Sequence, residues 1–131
     1  MEKHIVLLSP HHAMIDCAQR NGIKMTIFDK PENGPLTAYM NQDSVFLFDY
    51  HNVPFTKKII SAIHSHRKID AIITLTEKAL PLASQLSRFL GLKTLSWETI
   101  ERIQNKYAMR LFLSDHAEYS LKFLKPKNKK E

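Results

Sequence analysis

Glycine is scarce in this chain, with three in 131 residues and none between Met1 and Asn21. The first apolar run, Ile5 to Leu8, therefore leads into "SPHH", where a dinucleotide-binding fold would carry a glycine-rich turn. Without glycines the backbone cannot approach a pyrophosphate closely, which excludes a nicotinamide or flavin dinucleotide site. Cysteine occurs once, at Cys17. A lone cysteine rules out an internal disulfide and a multi-cysteine metal centre, and it points to a reducing compartment, the cytoplasm. Its place among Met14, Ile15 and Ala18 reads as core. Long hydrophobic runs are also missing. Ile5 to Leu8 is too short for a signal peptide or a membrane span, so no membrane association is expected. Positive charge is present but localised: the last ten residues, "KFLKPKNKKE", hold five lysines and one glutamate, most of the net +6. A solvated lysine tail gives only a salt-sensitive attraction to phosphates, and no zinc-finger spacing or RNA-binding aromatic signature accompanies it. Nucleic acid is not the expected partner.

The composition is that of a single globular core, 44% apolar and 24% charged. Along the chain, "HIVLLS", "KMTIFD", "SVFLFD" and "IDAIITL" read as strands. Between and after them, "AMIDCAQRNG", "FTKKIISAIHSHRK" and "ALPLASQLSRFLG" read as helices, the first and last stopped by Gly22 and Gly91. Pro81 falls in a first helical turn, where its missing N–H is harmless. The segment "KPENGPLTAYMNQD" is rich in turn formers. Strands that are continuous apolar runs, alternating with helices, predict an α/β fold: a three-layer Rossmann-like parallel sheet of four to five strands with right-handed crossovers and a C-terminal helical extension. The extension comprises "SWETIERIQ", with Ser96 as N-cap, and "NKYAMRLFLSDH". The expected organisation is a Rossmann-like domain over 1–95, a helical linker over 96–121 and a basic tail over 122–131.

Ligands of open parallel sheets sit beyond the carboxyl ends of the strands. Those ends are 9–12, Asp29, 49–52 and 74–78. They place His11, His12, His51 and Glu77 as candidate cleft residues, although a carboxylate such as Glu77 is equally explained by the dipole of a helix N-terminus. Seven histidines suggest metal, but zinc needs three or four convergent ligands. His64 and His66, two apart on a helix, point to different sides, so no metal site is expected.

From Ile72 to Lys125 the chain resembles the junction between the N-terminal and ATP-binding domains of ATP-grasp ligases, the superfamily of biotin carboxylase and amino-acid ligases. The resemblance is carried by an acidic turn (Thr74 to Glu77), an Ala/Leu helix (Leu82 to Leu90), Gly91-Leu92 and Ser96. It continues through Asn105-Lys106, Met109-Arg110, Leu113 and Lys122-Phe123. The earlier strand–helix pattern fits the family's pre-ATP-grasp domain. Two departures stand out: Asn105 replaces the commoner aspartate, and "SPHH" replaces a glycine-rich first loop. In such ligases ATP phosphorylates a carboxylate, and an amine or thiol then displaces phosphate. The resemblance implies that Lys106 lies near the nucleotide phosphates and that Glu77 borders the substrate cleft. It implies no catalytic residue in this chain, with ATP and Mg needed only alongside ATP-grasp domains supplied in cis or in trans. The nucleotide-clamping parts would lie downstream of this sequence, so the chain is expected to be the first domain alone, lining the cleft without catalysing. The alternative is a free-standing, non-catalytic module that binds a protein or small ligand, with a homodimer formed through the C-terminal helices.

Overall fold

Both central strands bury two faces, and that follows from their sequence. Val6 and Leu8 alternate with Ile5 and Leu7, so an apolar run without polar interruptions projects carbon in both directions. A computed structural model describes residues 2–33 and 44–125 of the chain. Its sheet has four parallel strands, β1 (His4–Leu8), β2 (Lys24–Asp29), β3 (Val45–Leu47) and β4 (Ala71–Ile73), in the order β3-β2-β1-β4. Leu8 lies opposite Phe28, and Leu7 lies between Ile27 and Ile73.

One face packs Leu7 and Ile27 against Ile15 of α1 (His12–Arg20). The other packs Val6, Leu8 and Phe28 against Ile60 of α2 (Val53–His66) and against Leu82, Ala83 and Leu86 of α3 (Leu80–Phe89). The predicted α/β three-layer architecture is the one observed. Phe28 anchors the larger core, with the rings of Phe48 and Phe46 set edge-on at 5.1 Å and 5.7 Å.

The helix stops come from glycine. Gly22 (φ 63°) and Gly91 (φ 70°) take the left-handed conformation. In each case the next residue's N–H reaches back, Ile23 to Ala18 O and Leu92 to Ser87 O, at 2.9 and 2.8 Å. This is the Schellman closure that a residue bearing a Cβ resists. Pro81 sits in the first turn of α3, as expected. Cys17 departs from expectation: it is exposed. Ile15 and Ala18 are three apart and share the buried stripe, whereas residue 17 lies about 200° around the helix from residue 15. The turn-rich segment expected over 30–43 is described only as far as Asn33, where Pro31–Asn33 forms a 3-10 turn, and residues 126–131 of the expected tail also lie outside the described residues.

Contacts divide the chain into two units, Met1–Thr94 and Leu95–Glu131. The second contains α4 (Trp97–Gln104) and α5 (Lys106–Leu113). Ser96 caps α4 by accepting the Thr99 N–H at 3.2 Å. Asn105 ends α4 and caps α5, accepting the Ala108 N–H at 3.1 Å. Asparagine and aspartate are equivalent N-caps, so the replacement of the commoner aspartate leaves the local fold intact. The helix expected to run on to His116 stops at Leu113. There the Ser114 hydroxyl donates to Leu111 O at 2.6 Å and competes for a carbonyl of the helix.

At the amino edge of the sheet, His4 is buried and its Nε2 pairs with Thr26 Oγ1 at 2.9 Å. Its Nδ1 has no hydrogen-bond partner among the described residues. Burial pushes its pKa below 6.5, and the Arg67 charge acts in the same direction. The Arg67 and Lys68 backbones and Asp70 act the opposite way without reversing the shift. The unfolded chain therefore binds a proton at this histidine more readily than the folded one. Stability is fully present above about pH 6.5 and falls as pH drops toward the lower folded value. Urea denaturation at pH 7.5 and 5.5 is expected to show the lower midpoint at 5.5, with His4→Gln flattening the difference. An unchanged slope in that variant would assign the acid sensitivity elsewhere.

Candidate functional site

The strand order puts the topological switch between β1 and β4. The chain steps from β1 to β2 to β3 in one direction, then returns across the sheet to the other side of β1. Ligands of this fold class occupy the crevice outside the carboxyl ends at such a point. Here the two strand ends are laced together. Thr74 Oγ1 donates to Leu8 O at 2.9 Å and accepts the Thr76 N–H at 3.0 Å, while Thr76 Oγ1 reaches Ser9 O at 3.4 Å. The turn that carries Glu77 is thus tied to the end of β1.

A second set of bonds ties β1, β2 and the loop after β3. Ser9 continues the ladder through its N–H to Phe28 O at 2.9 Å, then turns with φ 45°. Its hydroxyl donates to Asp29 Oδ1 at 2.8 Å and pairs with the Tyr50 hydroxyl at 2.8 Å. Because the serine proton goes to the carboxylate, the tyrosine must donate to the serine. Asp29, only 2% exposed, also accepts the Lys30 N–H at 2.8 Å and Asn33 Nδ2 at 2.6 Å. Tyr50 is buried in the larger core, and its carbonyl accepts the Thr56 hydroxyl at 2.8 Å.

The predicted cleft residues all fall on this edge. His11 is the N-cap residue of α1 without a side-chain cap bond, and His12 opens that helix; both are exposed. His51 is exposed beside Tyr50, the ring centroids 4.7 Å apart. Glu77 begins a 3-10 turn that leads into α3, and it is exposed. Lys106 belongs to the second unit, exposed in the first turn of α5. His64 serves the fold instead, its Nδ1 accepting the Ile69 N–H at 3.1 Å beyond the end of α2. Sequence reasoning found the four strand ends and missed Ser9, Tyr50 and Thr74 within them, and Asn33 four residues beyond Asp29. The available signal was position alone, since Ser9 and Thr74 are the first polar residues after their strands.

Among the described residues no group of three His, Cys, Asp or Glu side chains could hold a metal ion, and Lys106 offers a single ammonium. A groove of about 890 Å³ lies at the opposite, amino edge, lined by residues including His4, Lys24, Thr26, Phe46, Ile63 and Arg67. None of the carboxyl-edge loops contributes to it, and strand-end geometry, not size, identifies the site. No described helix is long and apolar enough to cross a membrane.

Comparison with known proteins agrees with this architecture. The crystal structure of an L-amino acid ligase from Bacillus licheniformis superposes with a TM-score of 0.71 at 21% identity, covering 88% of this chain. The chain spans 30% of that ligase. No curated protein sequence matches it. Residues 15–94, from α1 through the end of the first unit, match the family model of the ATP-grasp N-terminal domain, and the chain belongs to that family.

Proposed function

We propose that this chain is the N-terminal, cleft-lining domain of an ATP-dependent carboxylate–amine ligase, acting in the cytoplasm and inactive without ATP-grasp domains supplied in cis or in trans. The observation that carries the reading is the carboxyl edge of the first unit. It is a switch-point rim built from Ser9, Asp29, Tyr50 and Thr74, held in place by side-chain bonds, within a chain whose residues 15–94 match the ATP-grasp N-terminal domain. His11, His12, His51 and Glu77 stand exposed on that rim, and we assign them to the side of the cleft that a substrate meets.

The second unit supports the same reading. Six of the fifteen large apolar residues exposed among the described residues, Leu95, Trp97, Ile103, Tyr107, Leu111 and Phe112, lie on α4, α5 or just before α4. So much exposed carbon on two short helices is a surface for another protein domain. ATP and magnesium would be held by that domain, and Lys106 would add one cation beside the phosphates.

In the polypeptide or complex that supplies the ATP-grasp domains, Lys106→Ala is expected to raise the KM for ATP about tenfold, the loss of one charge-assisted contact. Steady-state phosphate release at varied ATP is the measurement. An unchanged KM and kcat would remove Lys106 from the nucleotide site.

A further inference from the structure

The first turn of this domain needs a left-handed residue and has no glycine to supply it. Ser9 takes that conformation, the one described non-glycine residue with positive φ. For a residue bearing a Cβ such a backbone is strained and persists only where its surroundings fix it. Here they do. The Ser9 hydroxyl lies between Tyr50 and Asp29 at 2.8 Å each, its N–H is held by Phe28 O, and its carbonyl is approached by Thr76. Both hydroxyl partners are themselves buried and hydrogen-bonded. Tyr50 is 3% exposed and held by Thr56 of α2, and Asp29 is fixed by Lys30 and Asn33.

We propose that Tyr50, Ser9 and Asp29 form a side-chain clamp that replaces a turn glycine, making Ser9 the positioning residue for the β1–α1 rim. The direction in which Pro10, His11 and the first turn of α1 leave the sheet is set at Ser9, because residue 9 is where the chain departs from the β1 ladder. The clamp draws on three strand ends, so the residues that directly follow β1 and β2 are tied to Tyr50 beyond β3 by the protein's own side chains. That this rim faces substrate rests on the function proposed above; the clamp does not.

Denaturant unfolding of Ser9→Gly and Ser9→Ala in the intact chain separates conformation from hydrogen bonding. Both variants lose the two hydroxyl contacts, but only alanine still carries the strain of positive φ. Ser9→Ala is therefore expected to lower the folding constant about five- to tenfold more than Ser9→Gly. Equal losses, or a smaller loss in alanine, would overturn the proposal. If Ser9→Ala does not fold, Tyr50→Phe leaves residue 9 untouched and tests the clamp from its far end. Amide exchange at Met14 and Ile15, whose N–H groups bond to His11 O, is expected to quicken at least fivefold in that variant, with Leu90, the C-cap of α3 whose N–H bonds to Leu86 O, as the internal reference. Unchanged exchange at both would overturn it. Neither measurement involves ATP, so a failure of the ligase reading leaves its outcome intact, and the reverse also holds.

Discussion

Phe28→Ala is expected to remove about 3–5 kcal/mol of folding stability, the usual loss for a buried phenylalanine. Phe28 is fully buried in one of the two central strands, opposite Leu8 on one side and Phe46 on the other. Its ring meets Phe46 and Phe48 edge-on, so truncation removes two aromatic contacts as well as buried area. Most neighbours that could fill the space come from β1, α2 and α3 and are held in regular structure, which limits collapse, with Phe48 and Tyr50 joining from the residues after β3. Against a typical domain stability of about 5–15 kcal/mol the variant would be marginal. Urea denaturation with an unchanged slope and a strongly lowered midpoint is the expected record. A loss below about 1 kcal/mol would mean that the three aromatic rings do not form the packed centre of this core. The effect should reach the carboxyl edge, because Phe28 O accepts the Ser9 N–H and the next residue is Asp29.

The elements that the sequence makes legible are those governed by local rules. "KMTIFD" is β2 residue for residue, and Gly22 and Gly91 end their helices with the positive φ that glycine tolerates. The outer strands are shorter than their apolar runs. β3 keeps only Val45–Leu47 of "SVFLFD", and β4 keeps Ala71–Ile73 of "IDAIITL". Each has a partner on one side among the described strands, and flanking residues such as Ile69 and Phe48 serve the core beyond the paired stretch, Phe48 keeping one last bond from its N–H to Asp29 O at 2.9 Å. An apolar run reports burial, which ends in a different place from hydrogen bonding.

The carboxyl edge was legible as loops but not as side-chain bonds, and the reason is strand order. Ser9 and Tyr50 are 41 residues apart, and Thr74 and Leu8 are 66 apart. Their contacts exist only because β1 lies between β2 and β4. Helical periodicity could have corrected the reading of Cys17, since Ile15 and Ala18 already define the buried stripe. Nothing local marks Ser9 as the residue that takes a glycine's conformation.

Asp29 is the residue at which structure and function on this edge can be told apart. Asp29→Ala is expected to cost about 3 kcal/mol, the loss when buried donors are left without their acceptor. One carboxylate oxygen serves Ser9, Asn33 and the Lys30 N–H, and alanine leaves all three donors facing a site without that acceptor. Asp29→Asn keeps an oxygen of the same size in place but removes the charge. Hydrogen bonds to charged groups are roughly twice as strong as neutral ones, so the amide should recover about half of the loss. Urea denaturation of the two variants beside the parent chain gives the comparison. The expected order, with alanine worst and asparagine intermediate, would mean that the charge of Asp29 is engaged inside the protein by the donors of Ser9, Lys30 and Asn33. If Asp29→Asn were as stable as the parent, the charge would contribute nothing to the fold.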